Sequence, residues 1–199
     1  MKFFKIENLP QPWGDYGEIL WSGMTCNLPR ENATLHLERT GPFIPPVFIS
    51  GISDIIVKDS VKLELEKHGL VGLDFQEVKK AKIVQLEWEH WDKSLEEPPE
   101  IPESGEPEDY ILSKPNDAEL AESIGKLWEI CANGIADVKL SRKLVFFGEP
   151  AIYLKLDSWG GQDIFSSKSL GYKFVTQRAK EAFEQIAPGA LIFEQINVI

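Results

Sequence analysis

The stretch IIVKDSVKLELEKHGLVGLDFQEV, residues 55–78, predicts a strand, a helix and a second strand in direct succession. It opens with three β-branched residues, which favour a strand. Val61, Leu65 and His68 then lie four and three positions apart, which places them on one face of a helix. Gly69 is suited to end that helix in the left-handed conformation, and the apolar residues after it predict the second strand.

The same pattern returns near the end of the chain as KFVTQRAKEAFEQIAPGALIFEQI, residues 173–196. The two stretches align without a gap at an offset of 118 residues, which is 173 minus 55. Thr176 is predicted to cap the second helix, because a threonine hydroxyl accepts a first-turn N–H. The repeat predicts two related lobes or one pseudo-symmetric core. The alternative is that two unrelated strand-helix-strand units look similar because both need the same amphipathic pattern. Five aligned pairs are identical: Val57 and Val175, Lys62 and Lys180, Glu66 and Glu184, Leu73 and Leu191, Phe75 and Phe193.

An acidic, proline-rich segment separates the two copies. It reads LEEPPEIPESGEPEDY, residues 95–110, and contains four prolines and seven carboxylates with no Lys or Arg. Such a segment cannot form a helix interior or a central strand. It predicts a solvated linker or excursion between two halves, and a sharper interpretation is that it also presents an acidic surface to a partner.

These features together predict an α+β protein with two small lobes. Each lobe is expected to hold a mostly antiparallel or mixed sheet with one or two packed helices, related by the strand-helix-strand repeat. We expect an N-terminal α+β lobe over residues 1–94, the acidic linker or excursion over residues 95–109, and a C-terminal α+β lobe over residues 110–199.

Further elements follow from local patterns. The stretch PNDAELAESIGKLWEICANG, residues 115–134, predicts a helix that Asn116 or Asp117 caps and that Gly134 ends. Three short strands are expected at residues 143–148, 151–156 and 163–167. The two cysteines, Cys26 and Cys131, are expected to be ordinary buried thiols.

The net charge of the chain limits the classes of partner that it is expected to bind. A formal net charge of -11 argues against nucleic-acid binding, because phosphate recognition requires a basic face, and it favours a basic partner. The N-terminus lacks the apolar region of a signal peptide, and no window approaches the roughly 18 apolar residues of a membrane span. We therefore expect a cytoplasmic protein that does not bind a membrane.

The C-terminal copy carries a family resemblance. Gly161, Asp163, Ile164 and Phe165, followed by the unit from Val175 to Phe193, are similar to the C-terminal portion of bacterial immunity proteins from polymorphic toxin systems. That family includes a group named for two CxxCG motifs. This chain has no CxxC, so the resemblance implies no zinc site. What it implies is a protein that binds and neutralises a toxin made by the same or a neighbouring cell.

The histidines offer little support for metal chemistry. The chain has three, His36, His68 and His90, and none of them belongs to an H-x-H or H-E-x-x-H motif. We predict no metal site, no cofactor and no catalytic residue.

One segment supports an alternative function. In WEHWD, residues 88–92, the side chains of Glu89, His90 and Asp92 could perform acid/base work, and the two tryptophans could form a ligand platform. The alternative is therefore a small-molecule-processing or hydrolytic enzyme with a site near this segment.

The function that we expect is non-enzymatic protein binding, as an immunity protein that neutralises a cognate bacterial toxin by direct contact. Electrostatic steering toward a basic partner, and aromatic anchors at the contact, would both serve that function. The identity of the toxin and the oligomeric state are left open by the sequence. The candidate partner-binding residues are Glu96, Glu97, Glu100, Glu103, Glu106, Glu108, Asp109, Trp88 and Trp91.

Overall fold

A computed structural model describes residues 1–141 and 152–199 of the chain. Within these residues lie two 3-10 helices, Trp88–His90 and Leu156–Ser158, and five α-helices: α1 Asp15–Ser22, α2 Asp59–Lys67, α3 Asp109–Leu112, α4 Ala118–Ser123 and α5 Gln177–Ile186. The strands of the same residues are β1 Phe3–Asn8, β2 His36–Gly41, β3 Val47–Ser50, β4 Asp54–Lys58, β5 Leu73–Glu77, β6 Lys79–Gln85, β7 Leu127–Ala132, β8 Gly134–Ala136, β9 Val138–Leu140, β10 Ile152–Leu154, β11 Ile164–Ser167, β12 Lys173–Thr176 and β13 Leu191–Val198. The predicted α+β class is confirmed.

Both predicted strand-helix-strand units are present. The first consists of β4, α2 and β5, and the second of β12, α5 and β13. Gly69 follows α2 with a φ of 58°, the left-handed conformation expected of a helix-terminating glycine. Thr176 caps α5, because its hydroxyl accepts the backbone N–H of Ala179 at 3.3 Å.

The largest sheet has seven strands in the order β8-β11-β12-β1-β13-β10-β9. The first strand of the chain, β1, is central in it and runs antiparallel to both β12 and β13. Its two edge strands, β8 and β9, are separated in sequence by Asp137 alone, so the sheet closes on itself around a shared interior. Phe3, Leu154, Phe165 and Phe174 fill that interior and are fully buried.

Helix α5 packs against the opposite face of β12 and β1. Ala179 and Phe183 form its buried side, whereas the Lys180 ammonium lies 5.5 Å from the ring centres of both Phe4 and Phe193. The helix therefore combines apolar burial with cation–π contacts on the strands that it covers.

A four-stranded sheet of order β3-β4-β7-β5 and a parallel pair of β2 with β6 form the second group of strands. Leu37, Phe48, Ile56 and Leu127 belong to one buried cluster beside these strands. A second cluster contains Leu20, Val84, Trp88, Tyr110 and Ile111 and joins α1 and α3 to β6.

The chain divides into two compact units that are discontinuous in sequence. One comprises residues 1–8, 60–75 and 130–199, and the other comprises residues 9–59 and 76–129. This division differs from the expected lobes at residues 1–94 and 110–199. The expected N-terminal lobe is divided because β1, at the start of the chain, pairs with β12 and β13 near its end. The expected linker is no boundary, because residues 95–109 lie inside the second unit.

The helix predicted over residues 115–134 is much shorter than expected. Its start is confirmed, because the Asp117 carboxylate accepts the N–H of Leu120 at 2.9 Å. It ends at Ser123, before Gly125 with a φ of 75°, and the remainder forms strand β7, which pairs with β4. Strand pairing therefore overrides the helical pattern.

The other short predictions have mixed outcomes. Strands β10 and β11 confirm the expectations at residues 151–156 and 163–167, whereas the strand expected at residues 143–148 lies outside the described residues. Cys131 is half-buried, but Cys26 is exposed, so the expectation of a buried thiol at Cys26 is wrong. The Cys26 loop contains no regular strand or helix that could cover the thiol.

A buried carboxylate secures the GQDIF stretch. Asp163 accepts hydrogen bonds from the Thr176 hydroxyl at 2.6 Å and from the Val71 N–H at 2.9 Å, and it pairs with Arg178 at 3.2 Å. Arg178 also donates to the carbonyl of Gly69 at 3.0 Å. Asp163 thus joins the cap of α5 to the loop that follows α2.

Replacing this carboxylate should be costly. We expect Asp163→Ala to lower the free energy of unfolding by about 3 kcal/mol, because it leaves buried donors without an acceptor. Chemical denaturation measures the difference. The matched control is Asp157→Ala, which removes an exposed ion pair with Lys155 and should change stability by less than about 0.5 kcal/mol. Equal effects of the two substitutions would contradict this role for Asp163.

Candidate partner-binding face

The acidic excursion, residues 95–109, is attached to an aromatic cluster of the second unit. The ring centres of Trp13 and Trp91 are 5.9 Å apart, those of Trp91 and Tyr110 6.0 Å, and those of Tyr16 and Tyr110 6.1 Å. Tyr110 is 2% exposed, and Ile111 beside it is fully buried. The C-terminal end of the excursion is therefore anchored in the core.

Three aromatic donors hold the backbone of the acidic excursion. The Trp13 indole N–H donates to the carbonyl of Leu95 at 3.0 Å, and the Tyr16 hydroxyl donates to the carbonyl of Gly105 at 2.6 Å. The Tyr110 hydroxyl donates to the carbonyl of Glu100. Of the two forms expected for this segment, a linker or an excursion, the structure shows an excursion that leaves and re-enters the same unit.

The residues that bear the carboxylates of the acidic excursion are largely exposed. Six of them are exposed and Asp109 is half-buried. Across residues 1–141 and 152–199, no ion pair includes any of the seven. The excursion thus presents a dense negative charge on a backbone that is fixed at several points. The six exposed residues are Glu96, Glu97, Glu100, Glu103, Glu106 and Glu108.

Two grooves border the acidic excursion. The first groove has a volume of about 560 Å³, and Glu100, Glu103 and Asp109 line it together with one cation, Lys114. The second groove has a volume of about 640 Å³ and runs between the excursion and α1. Its lining includes four carboxylates, from Asp15, Glu18, Glu106 and Glu108, together with apolar side chains from Ile19, Met24 and Pro107.

The pKa of Glu18 reflects the environment of the second groove. Burial raises the pKa of Glu18, and the Asp15 carboxylate raises it further, while a hydrogen bond from the backbone N–H of Gln11 lowers it. In the first groove, burial together with nearby Tyr16 and Glu100 raises the pKa of Tyr110 to about 12, so its hydroxyl remains a donor at neutral pH.

The structure places the two candidate tryptophan anchors differently. Trp88 is 1% exposed and packs against Phe43 at 5.3 Å and Trp21 at 6.4 Å, so its ring stabilises the core. A contact anchor has to be exposed, and Trp88 does not fulfil this condition. Trp91 is half-buried and takes part in the aromatic cluster under the acidic excursion.

The residues of the alternative enzymatic site do not converge. His90 is exposed and lies 3.7 Å from Glu89, whereas the Asp92 carboxylate accepts hydrogen bonds from the N–H and hydroxyl of Ser94. Those hydrogen bonds lower the pKa of Asp92. Neither groove beside the excursion is lined by these residues.

Metal-ligand clusters and membrane-spanning helices are both absent from the part of the chain that the structure describes. Within residues 1–141 and 152–199, no group of three His, Cys, Asp or Glu side chains is arranged to hold a metal ion. In the same part of the chain, every helix is too short or too polar to span a membrane.

Comparisons with known proteins leave the chain without a match: no family model, no curated protein and no solved structure is similar to it.

The sequence interpretation missed part of this face. Asp15 and Glu18 add two carboxylates from α1, and Trp13 and Tyr16 supply hydrogen bonds that fix the acidic excursion. Trp13 precedes α1 with a φ of 67°, and Tyr16 lies in the first turn of that helix, so helical spacing does not signal that the two act together. The sequence also does not contain the pairing of these residues with a segment about 80 to 90 positions away.

Glu18 provides a test of the electrostatics of the second groove. Its folded-state pKa lies above the ordinary value of 4.5, so the ionised form destabilises the folded chain at neutral pH. That cost disappears as the pH falls through the folded-state pKa. We expect Glu18→Gln to be more stable than the parent at pH 7 and equal to it below pH 4, as measured by urea denaturation.

The control is Glu119→Gln, an exposed carboxylate on α4, for which we expect a change below about 0.5 kcal/mol at both pH values. A Glu18→Gln protein that is less stable at pH 7 than at pH 4, relative to the parent, would contradict the desolvation of Glu18.

Proposed function

We propose that the protein is a non-enzymatic binding protein that neutralises a basic bacterial toxin by direct contact through the acidic excursion. One observation carries the proposal. The acidic excursion holds seven carboxylates, and none of them takes part in an ion pair within the described residues. Trp13, Tyr16 and Tyr110 hold the backbone of the excursion in place.

Fixed backbone geometry favours binding. A flexible acidic segment would lose conformational entropy on association, and that loss would weaken the complex. Here the entropy is already lost on folding, because the excursion is hydrogen-bonded to the aromatic cluster. The carboxylates therefore start from positions that a partner can recognise without ordering them first.

The sign of the charge selects the class of partner. A surface dominated by carboxylates accelerates encounter with a basic protein and repels acidic ones. Toxins that act on nucleic acids have basic substrate-binding surfaces, because they contact phosphates. Such a toxin fits the proposal, and the resemblance of residues 161–193 to immunity proteins of polymorphic toxin systems supports it. Protection of the producing cell would take place in the cytoplasm.

The grooves supply the second part of the recognition. In the second groove, apolar side chains and four carboxylates line the same space, which suits a lysine or arginine side chain with its aliphatic stem and charged end. Basic side chains of the toxin would therefore gain both apolar contact and charge pairing there.

The proposal requires that a gene next to the one encoding this chain encodes a toxin with a basic surface, and the domain so encoded is the probe for the test. We expect co-expression of this chain to restore growth of cells that produce the toxin, and the purified proteins to associate in calorimetry. Neutralisation of four excursion carboxylates, in Glu100→Gln, Glu103→Gln, Glu106→Gln and Glu108→Gln combined, should slow association at least about tenfold and reduce its dependence on salt.

The control variant carries the same change of net charge, from -11 to -7, at exposed carboxylates of the first unit. It combines Asp74→Asn, Asp157→Asn, Glu181→Gln and Glu184→Gln, and we expect it to slow association less than about threefold. Equal slowing of the two variants would show a general charge effect, and would contradict a binding site on the excursion.

A further inference from the structure

The two groups of strands share one strand order. Within the seven-stranded sheet, five neighbouring strands run β11-β12-β1-β13-β10. In the second group, the order is β3-β4-β7-β5, and β5 continues through Val78 into β6, which pairs with β2. The two orders match strand by strand, with β13 corresponding to β5 and β6 together.

The registers match as well. In the hairpins, Phe48 pairs with Ile56, and Phe165 pairs with Phe174. These residues are equivalent, because Ile56 and Phe174 are separated by the offset of 118 that relates the two sequence copies. The duplication thus includes the strand that precedes each strand-helix-strand unit.

The parallel ladders agree in the same way. Leu37 of β2 pairs with Lys80 of β6, and Leu154 of β10 pairs with Val198 of β13. Lys80 and Val198 are again 118 residues apart. Each copy therefore places an equivalent strand parallel to the end of its last strand.

Side-chain contacts are repeated on the helices. In each copy a lysine on the helix pairs with a glutamate one turn later and lies over a phenylalanine of the following strand. The residues are Lys62 with Glu66 at 2.6 Å and Phe75 at 5.3 Å, and Lys180 with Glu184 at 2.6 Å and Phe193 at 5.5 Å.

The central strand of each copy comes from the other half of the chain. Val57 of β4 pairs with Trp128 of β7, and the equivalent Val175 of β12 pairs with Phe4 of β1. Strand β1 precedes the first copy and β7 precedes the second, so each is the first strand of its own half. Each nevertheless lies in the sheet of the opposite half.

We infer that the chain is a fused tandem duplicate whose halves, β1 to β6 and β7 to β13, exchange their first strands. Tandem order explains why all equivalent elements follow the same sequence along the chain. Without the exchanged strand, a half has an unfilled central position with unpaired N–H and C=O groups on both sides of it, and in this structure the first strand of the other half fills that position.

The exchange makes the connection between the halves dispensable after folding. Residues 86–126 join β6 to β7 and contain the acidic excursion, whereas the halves are linked independently by β1 and β7. The acidic excursion itself, residues 95–109, contains neither exchanged strand, so a cut within it leaves the pairing of β1 and β7 in place.

A nicked form of the full chain tests this inference. A protease recognition sequence inserted between Gly105 and Glu106, at an exposed turn, allows the folded protein to be cut. We expect the two pieces to elute together in size-exclusion chromatography, with an unchanged circular dichroism spectrum. Separation of the pieces in native buffer would overturn the inference.

A second measurement distinguishes exchanged strands from an ordinary interface. Lys5→Pro removes a backbone donor in the middle of β1, whereas Lys2→Pro changes an exposed residue before the strand. Hydrogen exchange of the uncut chain should show at least tenfold faster exchange of β12 and β13 in Lys5→Pro, with β2 and β6 unchanged, and no effect of Lys2→Pro.

If Lys5→Pro does not fold, Phe3→Ala provides a second comparison that keeps every backbone donor of β1. Phe3 is fully buried among the strands of the seven-stranded sheet, so its truncation weakens the contact of β1 with them. Unaltered exchange of β12 and β13 in the folded variant would overturn the inference.

Discussion

The insertion of β1 between β12 and β13 is the contact on which the rest of the structure depends. It brings the first residues of the chain into the centre of a sheet built by its last residues, and it buries Phe3 in the interior of that sheet. Without β1 the partner strands would expose two rows of unpaired backbone groups. Because β7 has the same position beside β4, the two halves of the chain depend on each other in both directions.

The duplicated and unduplicated parts of the chain have different properties. The equivalent strands and helices of the two copies pack around apolar cores, and the copies share few exposed charges at aligned positions. The connection between the copies instead carries seven carboxylates, and the aromatic cluster of the second unit holds it in one conformation. This difference underlies the proposal that the repeated elements form the support and that the acidic excursion recognises the partner, because a fixed backbone would lower the entropic cost of binding.

Local signals made the strand-helix-strand units predictable, since Gly69, Thr176 and the helical spacing act within a few residues. The strand nature of residues 127–132 depends on pairing with β4, so the sequence pattern favoured a helix there. The burial of Arg39 could not be predicted from the sequence either. This residue of β2 is fully buried, its guanidinium lies 4.7 Å from the ring centre of Phe48, and burial lowers its pKa to about 9. Strands β1 and β7 are equivalent at a sequence offset of 124, from Phe4 to Trp128, and not at the 118 of the two copies. Their equivalence is therefore visible only through strand pairing.

Hydrogen exchange of the 199-residue chain, alone and mixed with the basic toxin domain that the proposed function requires, tests the central claim most directly. If the proposal holds, the toxin domain slows exchange in residues 95–112 and in α1, because these segments form the acidic face and its support. Slower exchange confined to α5 and β13, with none in the acidic excursion, would contradict it.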